Sequence, residues 1–260
     1  MAKEKTLTPV RPNLGIEEAY RKRLDKLIAE MNASVDWWVK AAFRANTPEM
    51  AQDASPAKTL QGIIAKLGKR WQGRFDEEAP NLAKWFTSSV QERADKGMQN
   101  SLKNAGFSVK FTMTRAMNDI VQATTAENVS LIKSISSQYF TDIEGLVMRS
   151  VAQGRDLGGL ATDLQDRYKV TRRRAELISK TENTKATSNM MRARQKELGI
   201  TEAQWVHSAG GRHPRKSHVE ASGKTYNIDE GMKIDGEFIF PGQLINCRCV
   251  SRSLIKGFNA

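Results

Sequence analysis

The stretch "TRRRAELISKTENTKATSNMMRARQKELG", residues 171–199, separates two parts of the chain that differ in composition. Thr171 is a typical helix N-cap and Gly199 a typical residue just beyond a helix end, so we predict a long basic helix here. After Gly199, glycine and proline become frequent, and the apolar runs shorten to "QWVHSA", "KTYNID", "EFIFPG" and "RCVSRSLI". Runs of this kind are typical of strands joined by turns.

Before this helix, apolar residues recur every three or four positions, a spacing that predicts amphipathic helices. The first three stripes are separated by short polar breaks. The fourth stripe is followed by a shorter fifth stripe, which predicts a short helix. The stripes run over residues 16–42, 60–75, 82–102, 129–151 and 157–164.

Local signals mark where these helices are expected to end. Thr47-Pro48 is expected to stop the first helix, and Gly106 and Gly154 to stop two later ones. The segment "FSVKFTM", residues 107–113, alternates apolar and polar residues and therefore predicts a half-buried strand.

These patterns predict an α+β protein with a mainly helical N-terminal body, a long basic helix and a small β-rich C-terminal module. We expect a flexible arm over residues 1–15, since that segment is polar and contains two prolines. A helical domain is expected over residues 16–165. The basic helix and the β-rich module are expected to share residues 166–260.

The composition is that of a globular protein, with 39% hydrophobic and 27% charged residues. The N-terminus has no apolar signal region, and no run of about 18 apolar residues occurs. We therefore expect a soluble protein made in a cytoplasm, with no membrane partner. The net charge of +12 favours a polyanionic partner, either nucleic acid or an acidic protein surface.

The positive charge is concentrated in residues 167–220, which hold thirteen Lys and Arg against five Asp and Glu. On a helix, Lys169, Arg173 and Lys180 are expected to share one face, with Arg172 beside them. We interpret these four as candidate nucleic-acid-binding residues. No aromatic residue lies between Arg172 and Gly199, so contact with double-stranded DNA is expected to be independent of base sequence. The alternative is a solvated helix face.

All three histidines and both cysteines of the chain lie between His207 and Cys249. A nucleophilic cysteine activated by a histidine is one hypothesis, and a buried structural cluster is another. Zinc is a third, with His213, His218, Cys247 and Cys249 as ligands. The spacings C-x-C and H-x4-H differ from those of familiar zinc fingers, and no common catalytic motif occurs. We therefore expect no catalytic residue, no cofactor and no bound metal.

Seven motifs follow one another over residues 129–255: "VAQGRDLGGLATDL", the basic helix, Trp205, "RHPRKSH", "SG", "FPG" and "NCRC". Their order resembles the head-morphogenesis family of tailed phages, typified by protein F of phage Mu. The resemblance covers about half of the chain. The chain departs from the family pattern at "SAGG", which replaces an acidic residue, and at Ser222, where the family usually has Asp.

The resemblance implies a minor head protein in the virion that binds the portal protein and other head proteins. It also implies a part in head morphogenesis and in DNA packaging or ejection, and no enzymatic activity. The motifs give a structural signature, in which polar side chains hold together a loop-rich module: Trp205, Arg215, His218, Gly223, Pro241, Asn246, Cys247, Arg248 and Cys249.

Two questions stay open at the level of sequence. One alternative function is an enzyme or toxin-like C-terminal module that uses the His/Cys cluster. We do not expect a fused effector, since the chain ends at Ala260 soon after the signature. The other question concerns Trp37, Trp38, Trp71 and Trp85, which are either a protein-binding surface or part of the helical core.

Overall fold

The computed structural model describes residues 3–45, 56–153, 157–209 and 213–258. The expected helix stops at Thr47-Pro48 and Gly154 lie outside these residues. The described part of the chain confirms the α+β prediction, with long helices followed by short strands. In chain order the elements are β1 (Lys3–Thr6), α1 (Leu14–Ala45), α2 (Pro56–Asn104), α3 (Arg115–Ala152), α4 (Leu157–Glu197), β2 (Glu202–Val206), α5 (Lys216–Glu220), β3 (Thr225–Asn227), β4 (Met232–Ile234), β5 (Glu237–Ile239) and β6 (Val250–Phe258).

The chain divides into two compact units, each formed by separate stretches of sequence. Unit 1 consists of Met1–Glu18, Lys84–Thr125 and Ser179–Ala260, and unit 2 consists of Ala19–Ala83 and Ala126–Ile178. The domains expected from sequence are continuous stretches of the chain. Each of the two units instead contains separate stretches, and the long helices contribute segments to both units.

Unit 2 is a helical body with an apolar core. Helix α1 buries one face, on which Tyr20, Leu24, Ile28 and Met31 have no exposed surface. These residues recur every three or four positions, as the sequence stripe predicted. The one polar atom of the Tyr20 ring is satisfied, because its hydroxyl donates to Asn128 Oδ1 at 2.9 Å.

Two predicted helix breaks are wrong, because tertiary packing carries the helix through them. Helix α2 continues through Pro80, whose neighbours Phe75, Ala79 and Ala83 are fully buried. Burial on this scale can offset the backbone hydrogen bond that an internal proline removes. Helix α4 is likewise continuous, and Thr171 donates to the carbonyl of Arg167 at 2.9 Å instead of capping a new helix.

The strand predicted over residues 107–113 is also wrong. The segment is irregular: it leaves α2 through Gly106, whose φ is +93°, and the Phe107 amide donates back to the Leu102 carbonyl. Phe107, Val109 and Phe111 are half-buried on one side, so the alternation in sequence is real. It reflects packing of one face and not pairing with a neighbouring strand.

The flexible arm expected over residues 1–15 is replaced by ordered structure in the described residues 3–15. Strand β1 pairs antiparallel with β6, and the Leu7 amide donates to Ser253. Farther along, Ser101 Oγ donates to the Thr8 carbonyl at 2.8 Å. As the edge strand of the sheet, β1 satisfies the backbone of this polar segment by pairing with β6, and the composition did not reveal this.

The β-rich module forms as predicted. Its four-stranded antiparallel sheet has the order β1-β6-β2-β3, and β4 and β5 form a separate two-stranded sheet. In β2, Ala203 and Trp205 are fully buried, while the residues that alternate with them are only half-buried. The module's core contains Ala203, Trp205, Ala221, Tyr226, Ile228, Met232, Ile234, Ile239, Cys247 and Cys249.

A buried arginine joins three segments of unit 1. The Arg194 side chain, 1% exposed, forms a two-pronged ion pair with Asp95 in α2 at 2.7 and 2.8 Å. It also donates to the Thr112 carbonyl at 2.9 Å and to Glu197 at 2.6 Å. Its guanidinium lies 4.6 Å from the centre of the Phe111 ring. These contacts hold α2, the irregular segment and α4 together.

We expect Arg194→Ala to lower the free energy of unfolding by about 3 kcal/mol or more, because it leaves the Asp95 carboxylate without its buried partner. The matched control is Arg172→Ala, which removes a partly exposed pair with Asp25 and is expected to cost less than about 1 kcal/mol. Urea unfolding followed by circular dichroism measures both. Equal losses in the two variants would contradict the structural role of Arg194.

Candidate functional site

Three buried side chains with metal- and proton-binding atoms meet in the β-rich module. His218 lies in α5, and Cys247 and Cys249 lie just before β6. The His218 Nδ1 atom is 3.5 Å from Cys247 Sγ and 3.7 Å from Cys249 Sγ. The three side chains are only 2–4% exposed, and both thiols are free.

The orientation of His218 is set by the short helix and by the sheet. Helix α5 begins after Arg215, whose carbonyl accepts from the His218 amide. The imidazole then meets Trp205 of β2 edge to face, with ring centres 5.1 Å apart. The Tyr226 ring packs against Trp205, with ring centres 6.4 Å apart. An apolar sheet face thus fixes the histidine without using its nitrogens.

The two thiols differ in acidity because they interact with each other inside the protein. The Cys249 side chain hydrogen-bonds Cys247 and lowers the pKa of Cys247 to about 5, with backbone hydrogen bonds and the charge of His218 adding to this effect. The pKa of Cys249 is raised by the same hydrogen bond and by burial. Of the pair, Cys247 is therefore the more acidic thiol.

A cavity of about 560 Å³ borders the three side chains. Its wall contains Lys180, Arg215 and Arg248 together with His207 and His213, and no acidic residue is among the lining residues. The cavity is therefore cationic. Small anions and solvent are the species that fit its charge.

The structure brings together most of the predicted signature residues. Trp205, His218 and the two cysteines share the core, and Arg215 donates to the Ile245 carbonyl at 3.0 Å. Gly223 follows α5 with a φ of +85°, and Asn246 precedes the first cysteine with a φ of +59°. Pro241 and Arg248 complete the loop between β5 and β6.

His213 does not belong to the cluster. Among the described residues, the group that could hold a metal consists of His218, Cys247 and Cys249, whose ligand atoms all lie within 4.8 Å of one another. His213 is exposed and lines the neighbouring cavity. Of the four ligands in the zinc hypothesis, three therefore lie together in the structure, and His213 lies outside their cluster.

The four candidate nucleic-acid-binding residues all lie in α4, but in different surroundings. Lys169 pairs with Asp166 at 2.9 Å, and Arg172 pairs with Asp25 at 3.0 Å. The hydrogen bond from Arg172 to Asp25 raises the pKa of the arginine. Arg173 is exposed in unit 2, while Lys180 is half-buried in unit 1, at the cavity.

Residues 240–249 connect β5 to β6 and contain both cysteines, and we call them the cysteine loop. Sequence reasoning missed the polar side chains of α4 that support this loop. Thr181 Oγ1 accepts from the Asn246 amide at 3.1 Å, and Ser188 Oγ donates to the Pro241 carbonyl. A Cβ atom at Gly242 would lie 3.0 Å from a methyl carbon of Thr184, so only glycine fits without displacement. The signal in the sequence was "TENTKATSN", a run of small polar residues inside a helix.

The backbone of Asn246 provides a test of this loop, since its side chain is exposed and its φ is left-handed. We expect Asn246→Val to destabilise the protein by at least about 1 kcal/mol, because a β-branched residue is strained in this conformation. Asn246→Gly, the matched control, is expected to match the wild type in urea unfolding. A valine variant as stable as the glycine variant would contradict the loop geometry.

Comparison with known proteins identifies the region that contains the cluster. Residues 141–252 match the model of the family described as phage Mu protein F like protein. The match confirms the resemblance that the sequence motifs indicated, and it spans α4, the cysteine loop and most of the β-rich module. No solved structure matches the chain.

An uncharacterized protein of Haemophilus influenzae is 28% identical to the chain over 257 residues. The alignment covers 96% of this chain but only 55% of that protein. The chain therefore spans about half the length of the curated relative it matches. Within the described residues, no helix has the length and apolar character needed to cross a membrane.

Proposed function

We propose that the chain is a minor head protein of a tailed phage, because residues 141–252 match the model of the phage Mu protein F like family. It enters the virion and acts in head morphogenesis, with its portal protein and other head proteins as partners. The family match, together with seven motifs in the family's order, is the observation that supports this function. We assign no catalytic residue, since the family's role is structural.

An exposed tryptophan pair in unit 2 is the surface we propose for the portal. Trp37 and Trp38 of α1 are 61% and 43% exposed, and their rings meet edge to face with centres 4.7 Å apart. Tryptophan is enriched at the energetic centres of protein interfaces. Trp71, in contrast, is buried and belongs to the helical core.

We expect the full chain to co-purify with the portal protein encoded by the same phage when the two are expressed together. Trp37→Ser combined with Trp38→Ser is expected to weaken this binding by at least about tenfold, because both side chains are lost from an interface centre. Pull-down and surface plasmon resonance measure the change.

The control is Phe238→Ser, which removes an exposed aromatic side chain from β5 in unit 1. Its binding to the portal protein is expected to equal that of the wild type. Undiminished binding by the double tryptophan variant would remove this surface from the proposal. Absence of binding by the wild-type chain would contradict the portal association itself.

We also propose a weak contact between α4 and double-stranded DNA that does not depend on base sequence. The support is the positive charge of this helix, including the exposed Arg173. Lys169 and Arg172 pair with carboxylates, but the Lys169 pair is largely exposed and the Arg172 side chain is half-exposed, so both pairs are worth little in free energy. A phosphate can therefore replace the carboxylate at either side chain. Packaging or ejection of DNA would bring the duplex to such a surface.

If about three phosphates are contacted, the logarithm of the binding constant should fall with the logarithm of salt concentration with a slope of about −3. Two labelled duplexes of unrelated sequence should bind equally, with micromolar or weaker affinity at physiological salt. Arg173→Glu with Lys180→Glu is expected to reduce binding at low salt. Fluorescence anisotropy of the labelled duplexes measures the salt slope, the affinity for each duplex and the effect of the double substitution.

The control for charge is Lys224→Glu with Lys233→Glu, which changes the net charge equally at two exposed positions of the β-rich module. This variant is expected to bind more tightly than the α4 variant. Equal binding by both, or a strong preference for one duplex, would contradict the proposed contact. The α4 cations would then be a solvated face or a surface for an acidic protein.

A further inference from the structure

Hydrogen bonding alone does not account for the contacts of His218. Its Nδ1 atom lies within 3.7 Å of two sulfur atoms, yet a ring nitrogen either accepts one strong hydrogen bond or donates one. The nitrogen can therefore bond only one of the two thiols, and the thiols also bond each other. Both thiols are buried, so the arrangement favours a species that can engage all three atoms at once.

The distances agree with a shared metal ion. Zinc binds thiolate at about 2.3 Å and imidazole at about 2.0–2.1 Å, and tetrahedral angles then place nitrogen and sulfur about 3.6 Å apart. The observed separations are 3.5 Å to Cys247 and 3.7 Å to Cys249. All three ligand atoms lie within 4.8 Å of one another, so a single ion can reach each of them.

Binding of an ion through Nδ1 leaves the ring proton of His218 on the other nitrogen. Its Nε2 atom is buried and has no hydrogen-bond partner in the part of the chain that the structure describes. The ring is therefore held by its edge-to-face contact with Trp205 and by what lies at Nδ1. A histidine placed by packing, with one nitrogen aimed at two sulfurs, is a preformed ligand.

We propose that His218 Nδ1 and the Cys247 and Cys249 thiolates bind one zinc ion, with solvent from the neighbouring cavity in the fourth position. Two sulfurs and one imidazole nitrogen form a donor set that suits zinc. The expectation of no metal rested on unusual spacings and on a set that included His213. In the structure, the spacing is accommodated because Cys247 and Cys249 both face the same histidine.

The ion would act as a structural tie within unit 1. It joins α5 to the segment before β6, across 29 and 31 residues of sequence. Strands β3, β4 and β5 are only three residues long, so the module between these points has few backbone pairings of its own. Metal binding to such a small module contributes directly to its folding free energy. This inference does not depend on the proposed portal or DNA contacts.

The test uses the full chain without a polyhistidine tag, expressed with added zinc and purified under reducing conditions. Elemental analysis by mass spectrometry is expected to give about one zinc ion per chain. Cys249→Ser and His218→Ala are expected to reduce the zinc content to background. His213→Ala, the matched control, is expected to retain it, and loss of zinc from this variant would overturn the ligand set.

Because a ligand variant can also fail to fold, the wild-type chain provides a second test. Zinc is removed with a chelator, and the chain is titrated with Co²⁺ and then with Zn²⁺. We expect a thiolate-to-cobalt charge-transfer absorption that zinc abolishes, and a rise in Tm on addition of zinc. A folded chain that shows no cobalt absorption and no change in Tm would overturn the proposal.

Discussion

Buried polar side chains gain stability from hydrogen bonds, and this requirement governs the second half of α4. Glu182, Asn183, Thr184, Arg194 and Gln195 are each less than 5% exposed, although the segment reads as polar. Leaving one such group unpaired costs about 1–3 kcal/mol, and more if it is charged. Their partners come from distant parts of unit 1: Asn183 donates to the Asn13 carbonyl, Arg194 pairs with Asp95, and Gln195 donates to Ser251 and Ser253. Directional bonds thus fix these segments around the helix.

The same helix places the His/Cys cluster. Thr181 and Ser188 bond the loop at Asn246 and Pro241, and Gly242 lies against Thr184. The loop therefore reaches β6 in one defined path, with both thiols directed at His218. The small sheet is held to the long helix α4 by polar residues of that helix. The left-handed turn at Asn246 and the two cysteines contribute to the same attachment. This explains how motifs far apart in sequence form one structural signature.

The sequence predicted those features that depend on periodicity. Apolar stripes located the faces of the long helices, and Gly106 and Gly199 marked the ends of α2 and α4 with φ values of +93° and +68°. Features that depend on tertiary partners were missed. The passage of α2 through Pro80 and the pairing of β1 with β6 both rest on contacts with distant residues. For the site, the cluster of His218 with the cysteines was among the hypotheses, but neither spacing nor composition could separate His213 from it.

The central proposal is that the chain is a component of a phage head, and the match of residues 141–252 to the phage Mu protein F like model supports it. The most direct measurement is mass spectrometry of purified, DNA-filled particles from the phage or prophage that encodes it. The account predicts that peptides from this chain are present in the heads at low copy number. Complete, infectious particles that lack the chain would contradict it.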